Sequence, residues 1–209
     1  MTQASSDPLP PALFERLDTS PDPLFYQSPR FVAHIDDKTI EALTSYYQEI
    51  LFEQADVLDL MSSWISHLPT GLKLGRIVGV GMNDLELQAN PRLSDYVVQD
   101  LNAHPTLPYE TDSFDFVFIA VSIQYLIKPV EVFTDIARVL RSSGRVVVAT
   151  SHRCFPTKAI RGFQKSSIEE RLQLIGEYMR RTTAFDEPVI VDRSPQGADP
   201  LWLVTGAKR

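Results

Sequence analysis

The chain opens without regular hydrophobic spacing and then falls into two alternating rhythms. Residues 1–30 are rich in Pro, Ser and Asp, with Pro8, Pro10, Pro11, Pro21, Pro23 and Pro29 breaking any helical period. This pattern predicts an extended arm over residues 1–36, disordered in part at its tip. From Asp37 to Glu53 the apolar positions Ile40, Leu43, Tyr47, Ile50 and Leu51 recur at helical spacing, with Asp36 or Asp37 placed to cap the start. Five short apolar runs follow: Ala55–Met61, Gly75–Met82, Asp95–Leu101, Phe114–Ser122 and Arg145–Ser151. Continuous apolar runs of that length predict parallel strands covered on both faces.

Helical signals lie between the strands. A short helix start is expected over Ser62–His67. A helix over Asn83–Asn90 has Asn83 as cap, Glu86 three residues on and Pro91 as stop. Another over Pro129–Arg141 has Pro in its first turn and Gly144 beyond its end. A further helix opens at Ser167 with Glu170 and ends on Arg180 and Arg181. Two strands close the chain, Glu187–Ser194 and Pro200–Lys208, joined by a turn-rich connector. The expectation is one α/β domain over 37–209, with a doubly wound, mostly parallel seven-stranded sheet, helices on both faces and an antiparallel strand at the C-terminal end. A ligand site belongs at the carboxyl ends of the strands.

Composition changes this picture little. A length of 209 residues suits a single core. The 20 Lys and Arg against 27 Asp and Glu give a net charge of −7, and no basic stripe offers itself to a phosphate backbone, so nucleic acid is not an expected partner. The start shows no secretory pattern and no apolar run has membrane-spanning length, which points to the cytoplasm. Cys154 is the only cysteine, and the four His make no metal-ligand spacing with it.

The residues Leu107-Pro108, Phe114-Asp115, Ala137-Arg138-Val139-Leu140 and Gly144, at their spacing, resemble the type 11 group of class I S-adenosylmethionine-dependent methyltransferases. The resemblance covers roughly residues 50–209. It implies a Rossmann-like methyltransferase fold, S-adenosylmethionine as cofactor and a small-molecule or protein methyl acceptor. It also implies that the arm and the 37–53 helix cap the cofactor. The family's first motif, V-L-D-x-G-x-G-x-G, falls on Val57 to Ile65. The Val-Leu-Asp opening stands, but Met61, Ser63 and Ile65 replace the glycines. Glycine serves there because the backbone must turn sharply and approach the ligand.

Carried over position by position, the resemblance implies a cofactor set of Asp59, Met61, Ser62, Ser63, Gly81, Met82, Asn83, Asp100, Leu101, Ala120 and Val121. Asp59 would hold the ammonium group or orient the loop, with helix capping as its alternative. Gly81 stands where the family has its second-strand acid, and Asn83 would take part of that role through its carbonyl. Met82 would pack on the adenine, and Asp100 would accept from the adenine amino group or close a turn with Asn102. Tyr47, Gln124, Tyr125, His152 and Arg153 are the substrate-side candidates. His34 is a possible general base, Asp115 reads as structural, and His67 and His104 carry no signal.

Two other functions compete. The replaced glycines suit a binding or regulatory protein that has lost catalysis on this fold. Gly79-Val80-Gly81 after a strand, with Asp100 some 20 residues on, suits a nicotinamide cofactor. Against the latter, Asp84 and Glu86 would face a pyrophosphate at the helix start. The acceptor and the oligomeric state stay open.

Overall fold

The computed structural model describes residues 7–209. Residues 1–6, at the tip of the arm where partial disorder is expected, lie outside the described residues. Seven strands form one sheet: β1 Val57–Ser62, β2 Ile77–Gly81, β3 Asp95–Val98, β4 Phe114–Ala120, β5 Leu140–Thr150, β6 Val189–Asp192 and β7 Trp202–Ala207. Their order is β3-β2-β1-β4-β5-β7-β6. The first five run parallel, and β7 pairs antiparallel with both β5 and β6. The chain reverses direction of progress at β1, between β2 and β4, which creates the crevice where an open α/β sheet binds ligands.

The central strands β1, β2, β4 and the second half of β5 are mostly apolar because both sheet faces are covered there, while the edge strands β3 and β6 stay partly exposed. Along β4, Phe114, Val117 and Ile119 join one core, while Phe116 and Phe118 join the other. On the first face lie α4 (Pro129–Val139) and α6 (Ile168–Thr182), through Phe133, Ile136, Ile175 and Tyr178. The second face holds α2 (Asp37–Ile50), with Leu43, Tyr46 and Tyr47 buried against Phe118, Val147 and Leu203. Tyr47 stacks on Phe118 with ring centroids 4.1 Å apart. Thus the helix expected to cap the cofactor covers a sheet face instead. The hydrophobic stripe that made it legible is the surface that commits it to the core.

The local signals act as read. Asp36 caps α2 through the Thr39 amide, and Asn83 caps α3 (Asp84–Ala89) through the Glu86 amide. Ser167 and Glu170 close a reciprocal capping box. Asp115 is structural: with Asp56 it brackets Arg141, at 2.6 and 2.7 Å, and binds β1, β4 and β5 at their starts. The helix expected over 62–67 is absent; that segment is a bent loop. The arm is also more structured than expected, with a 3-10 turn at Pro11–Phe14 and a short helix α1 at Asp22–Phe25. No helix among the described residues is long and apolar enough to cross a membrane.

Gly81 answers a packing demand. The β1–β2 register slips between Leu60 and Ser62, leaving Met61 bulged, and Ser62 then stands opposite Gly81. A Cβ at Gly81 would lie 2.3 Å from the Ser62 carbonyl oxygen. No acid fits where the resemblance would put one. Replacing Gly81 with Ala is expected to destabilise the fold by about 2–3 kcal/mol in urea unfolding. Gly71, which has open space around it, is the control position at which Ala costs little.

Candidate active site

A cavity of about 300 Å³ opens at the carboxyl ends of β1, β2 and β4 and at the loop after β3. Asp59, Met61, Ser62, Ser63, Gly81, Met82, Asn83, Asp100, Leu101, Ala120 and Val121 all line it. Tyr125 and Arg153 line it too. Three substrate-side candidates do not. Tyr47 is fully buried in the core beneath, where burial drives its hydroxyl well above the ordinary tyrosine range. Gln124 and His152 face a smaller neighbouring cavity. Gln124 is turned there by its amide nitrogen, which donates to the Val121 carbonyl at 2.9 Å.

The loop after β1 is built around one buried carboxylate. Asp59 accepts from the Ser62 and Ser66 hydroxyls, each at 2.6 Å. Asn90, at the end of α3, donates to Ser66 Oγ and to the Ser63 carbonyl, both at 2.8 Å. Burial pushes the Asp59 carboxyl up to about 6, against the pull of the two hydroxyls. These side-chain bonds take the place of a helix over 62–67: Ser and Asp satisfy one another and leave the backbone bent. The turn itself is made without glycine. Met61 has φ 59° and His67 φ 55°, and Val121, across the cavity, has φ 51°. Left-handed backbone at a β-branched residue such as Val121 is costly, and such strain gathers at functional sites. Met61, which falls on the first glycine of the resembled motif, thus holds a left-handed conformation that glycine would adopt more easily.

Glu86 supplies the carboxylate that the end of β2 lacks. It sits in the first turn of α3, lines the cavity and accepts from Ser63 Oγ at 2.6 Å and from the Arg30 amide at 2.7 Å. Asn83 does not take that role as expected. Its oxygen caps α3, and its nitrogen donates to the Tyr26 and Gln27 carbonyls at 2.9 and 3.1 Å. On the far side, Asp100 Oδ1 accepts from the Asn102 and Ala103 amides, and Oδ2 takes no bond among the described residues. The walls thus carry four carboxylates, Asp22, Asp59, Glu86 and Asp100, against Arg30 and Arg153. Met82 and Leu101 offer apolar surface between them.

The arm roofs the cavity. Asp22, Tyr26, Arg30, Ala33 and His34 line it from above. Beyond the Asn83 and Glu86 bonds, Trp64 Nε1 donates to the Val32 carbonyl at 3.1 Å. A charged knot secures the base of the arm. Lys158, with no exposed surface, lies 3.1 Å from Asp22 and 3.3 Å from Asp18 and donates to the Ser20 carbonyl. Arg16 and Asn102 also bind Asp22, each at 2.8 Å. Burial pulls the Asp22 carboxyl upward, but these donors outweigh it and hold it below its ordinary value.

His67, which carried no signal in the sequence, lines the cavity with His34. Burial lowers both, His67 to about 4, so both rings are neutral near pH 7. His67 Nδ1 is buried with no hydrogen-bond partner among the described residues. Glu86 was legible only as a capping residue, and the arm residues lacked any periodic signal. Phe155 is a further unheralded element, its ring against Phe25, His34 and Tyr125 at 5.4–5.8 Å. No group of three or more His, Cys, Asp or Glu among the described residues is arranged to hold a metal ion.

Two variants test this construction. Asp59 favours its protonated form in the fold, so its contribution is fully present below pH 4 and is lost as pH rises through about 6. Asp59→Asn is expected to remove that decline, a difference of up to about 3 kcal/mol between pH 4 and 7, read from urea midpoints across that range. Lys158→Met leaves the Asp22 and Asp18 carboxylates short of a buried cation. It is expected to cost about 3 kcal/mol and to speed proteolysis within residues 15–35.

Comparison with known proteins bears on the fold. Residues 65–148 match the methyltransferase domain family. The matched span begins beyond the Met61 bulge. A 73-residue stretch is 32% identical to the biotin biosynthesis bifunctional protein BioHC of Cellvibrio japonicus, covering 35% of this chain and 14% of that protein. Among solved structures, phosphoethanolamine N-methyltransferase 2 of Haemonchus contortus, in complex with S-adenosyl-L-methionine, superposes with a TM-score of 0.58. That likeness covers 82% of this chain and 52% of that one, at 14% identity. The [4+2]-cyclase SpnF superposes at 0.56 and 15% identity, over 79% and 80% of the two chains. The chain has the fold of class I S-adenosylmethionine-dependent methyltransferases, and its central residues 65–148 match the methyltransferase domain family.

Proposed function

We propose that this protein binds S-adenosylmethionine in the roofed cavity and transfers its methyl group to a small molecule held beneath the arm. The observation that carries the reading is convergence: the eleven positions carried over as the cofactor set all line one cavity. The donor set also fits a cationic adenosyl ligand, since carboxylates outnumber guanidiniums on its walls. Asp100, through Oδ2, accepts from the adenine amino group. Met82 and Leu101 flank the ring, Glu86 and Ser63 take the ribose hydroxyls, and Asp59 faces the ammonium. The chemistry supplied by the bound cofactor is a methyl group on a sulfonium, open to in-line displacement, which demands alignment more than a dedicated acid. His34, neutral and beside the roof, accepts the proton of the incoming nucleophile. Tyr125 and Arg153 position the acceptor.

A second reading keeps the cavity and drops the methyl transfer. It is favoured by the lost glycines and by the likeness to a [4+2]-cyclase, because one fold hosts several chemistries. Binding without turnover across an acceptor screen would select it.

Calorimetry with S-adenosylhomocysteine tests the proposal. Micromolar binding is expected, with none for NADH, and absence of binding at millimolar ligand removes the methyltransferase reading. Asp100→Ala is expected to weaken binding by about 1.5–3 kcal/mol, the loss of one hydrogen bond to a charged group. Affinity is also expected to rise with pH through about 6, as Asp59 ionises beside the ligand's ammonium.

A further inference from the structure

Behind the segment Ser151–Cys154 lies a second cavity of about 240 Å³. Arg153 and Cys154 line both cavities, so the two share a wall. The smaller one also has Arg171, Gln124 and His152 on its walls, and no carboxylate lines it. Arg171 is half-buried on α6 and donates through Nε to the Ser166 carbonyl at 3.1 Å. It makes no ion pair among the described residues, although its charge reaches the Cys154 thiol. Arg153 pairs with Asp199 at 2.6 Å, and His152 lies 3.4 Å from the same residue. Asp199 stands outside the cavity wall, so two guanidiniums face the space with one carboxylate behind them.

Gln124 is the other unsatisfied group. It is 3% exposed. Its nitrogen is fixed by the Val121 and Arg153 carbonyls, and its oxygen has no partner among the described residues. A buried, unpartnered acceptor in the wall of a cavity that also carries a guanidinium without an ion pair costs stability. A ligand with an anionic group and a neighbouring O–H or N–H donor satisfies both.

We propose that this cavity is an anion subsite for the methyl acceptor, in which Arg171 and Arg153 hold a phosphate monoester or carboxylate and Gln124 accepts from a donor beside it. The assignment of that ligand as acceptor rests on the methyltransferase reading; the anion site itself does not. Guanidinium forks match both oxyanions in geometry, and the shared wall places the anion next to the methyl-transfer cavity. The acceptor class is then a small anionic metabolite.

The experiment uses the full chain, with and without S-adenosylhomocysteine, titrated with methyl phosphate or acetate and followed by NMR. Saturable shifts are expected in the Arg171 Nε–Hε and Gln124 side-chain amide signals, and the tighter of the two probes identifies the oxyanion. Arg171→Gln is expected to weaken that binding at least about tenfold, with partial recovery in Arg171→Lys and unchanged S-adenosylhomocysteine affinity. Equal affinity in Arg171→Gln, or shifts scattered over the surface without those two signals, overturns the subsite. Should Arg171→Gln fail to fold, the wild-type signals decide alone. Oxyanion binding without any adenosyl binding keeps the subsite and overturns the acceptor assignment.

Discussion

The arrangement of the candidate site depends on the buried carboxylate of Asp59. It ends the polar part of an apolar strand, at the point where the chain must turn over the neighbouring strand. The Ser62 and Ser66 hydroxyls close on it, and Asn90 ties Ser66 to the end of α3. A carboxylate without those donors would be an uncompensated charge in the core. With them, the loop from Met61 to His67 is held by side chains instead of by a helix or by glycine. The bulge at Met61 then sets Ser62 against Gly81, which removes all room for a side chain at the end of β2. One network thus explains two departures from the familiar motif: the missing glycines and the missing second-strand acid.

Displacing that acid moves the burden to Glu86, and Glu86 in turn recruits the arm. Its two oxygens join Ser63 of the loop to the Arg30 backbone. Asn83 adds two bonds to the arm from the same helix start, and Trp64 adds a third from the loop. The roof is therefore attached to the very segments that replaced the standard motif. Its base is anchored separately by Lys158, Arg16 and Asp22, on the opposite side of the cavity.

Much of this fold was legible from the chain. Apolar runs located the five parallel strands, because strands covered on both faces need not alternate, and turn-bounded segments located the closing pair β6 and β7. Capping signals at Asp36, Asn83 and Ser167 held because each offers a backbone amide a partner where the helix cannot. The failures have specific causes. Ser62–His67 looks like a helix start because Ser and Asp favour caps, yet here their side chains bond to each other. Tyr47 sits at helical spacing, but that spacing reports which face is buried and not what lies over it. Gln124 and His152 follow strand ends correctly, and a 3-10 turn at Ile123–Tyr125 carries Gln124 to the other side of the wall. Glu86 and His67 were missed because each becomes part of the cavity only through the tertiary approach of the loop and the arm, which no local pattern records.

Strain completes the argument that the cavity is a working site. Met61, His67 and Val121 hold left-handed backbone without glycine, at about 1–3 kcal/mol each, and all three line this cavity. Val121 is held by its amide, which donates to Ala149 at 2.8 Å, and its carbonyl accepts from Gln124. The cost is carried by the two apolar cores that cover the sheet faces, where the stabilisation of this fold resides. A chain under selection for stability alone sheds such residues first, since a glycine at Met61 would relieve the turn. Where these three meet, around the cavity's carboxylates, conformational ease has been exchanged for a shaped and charged surface.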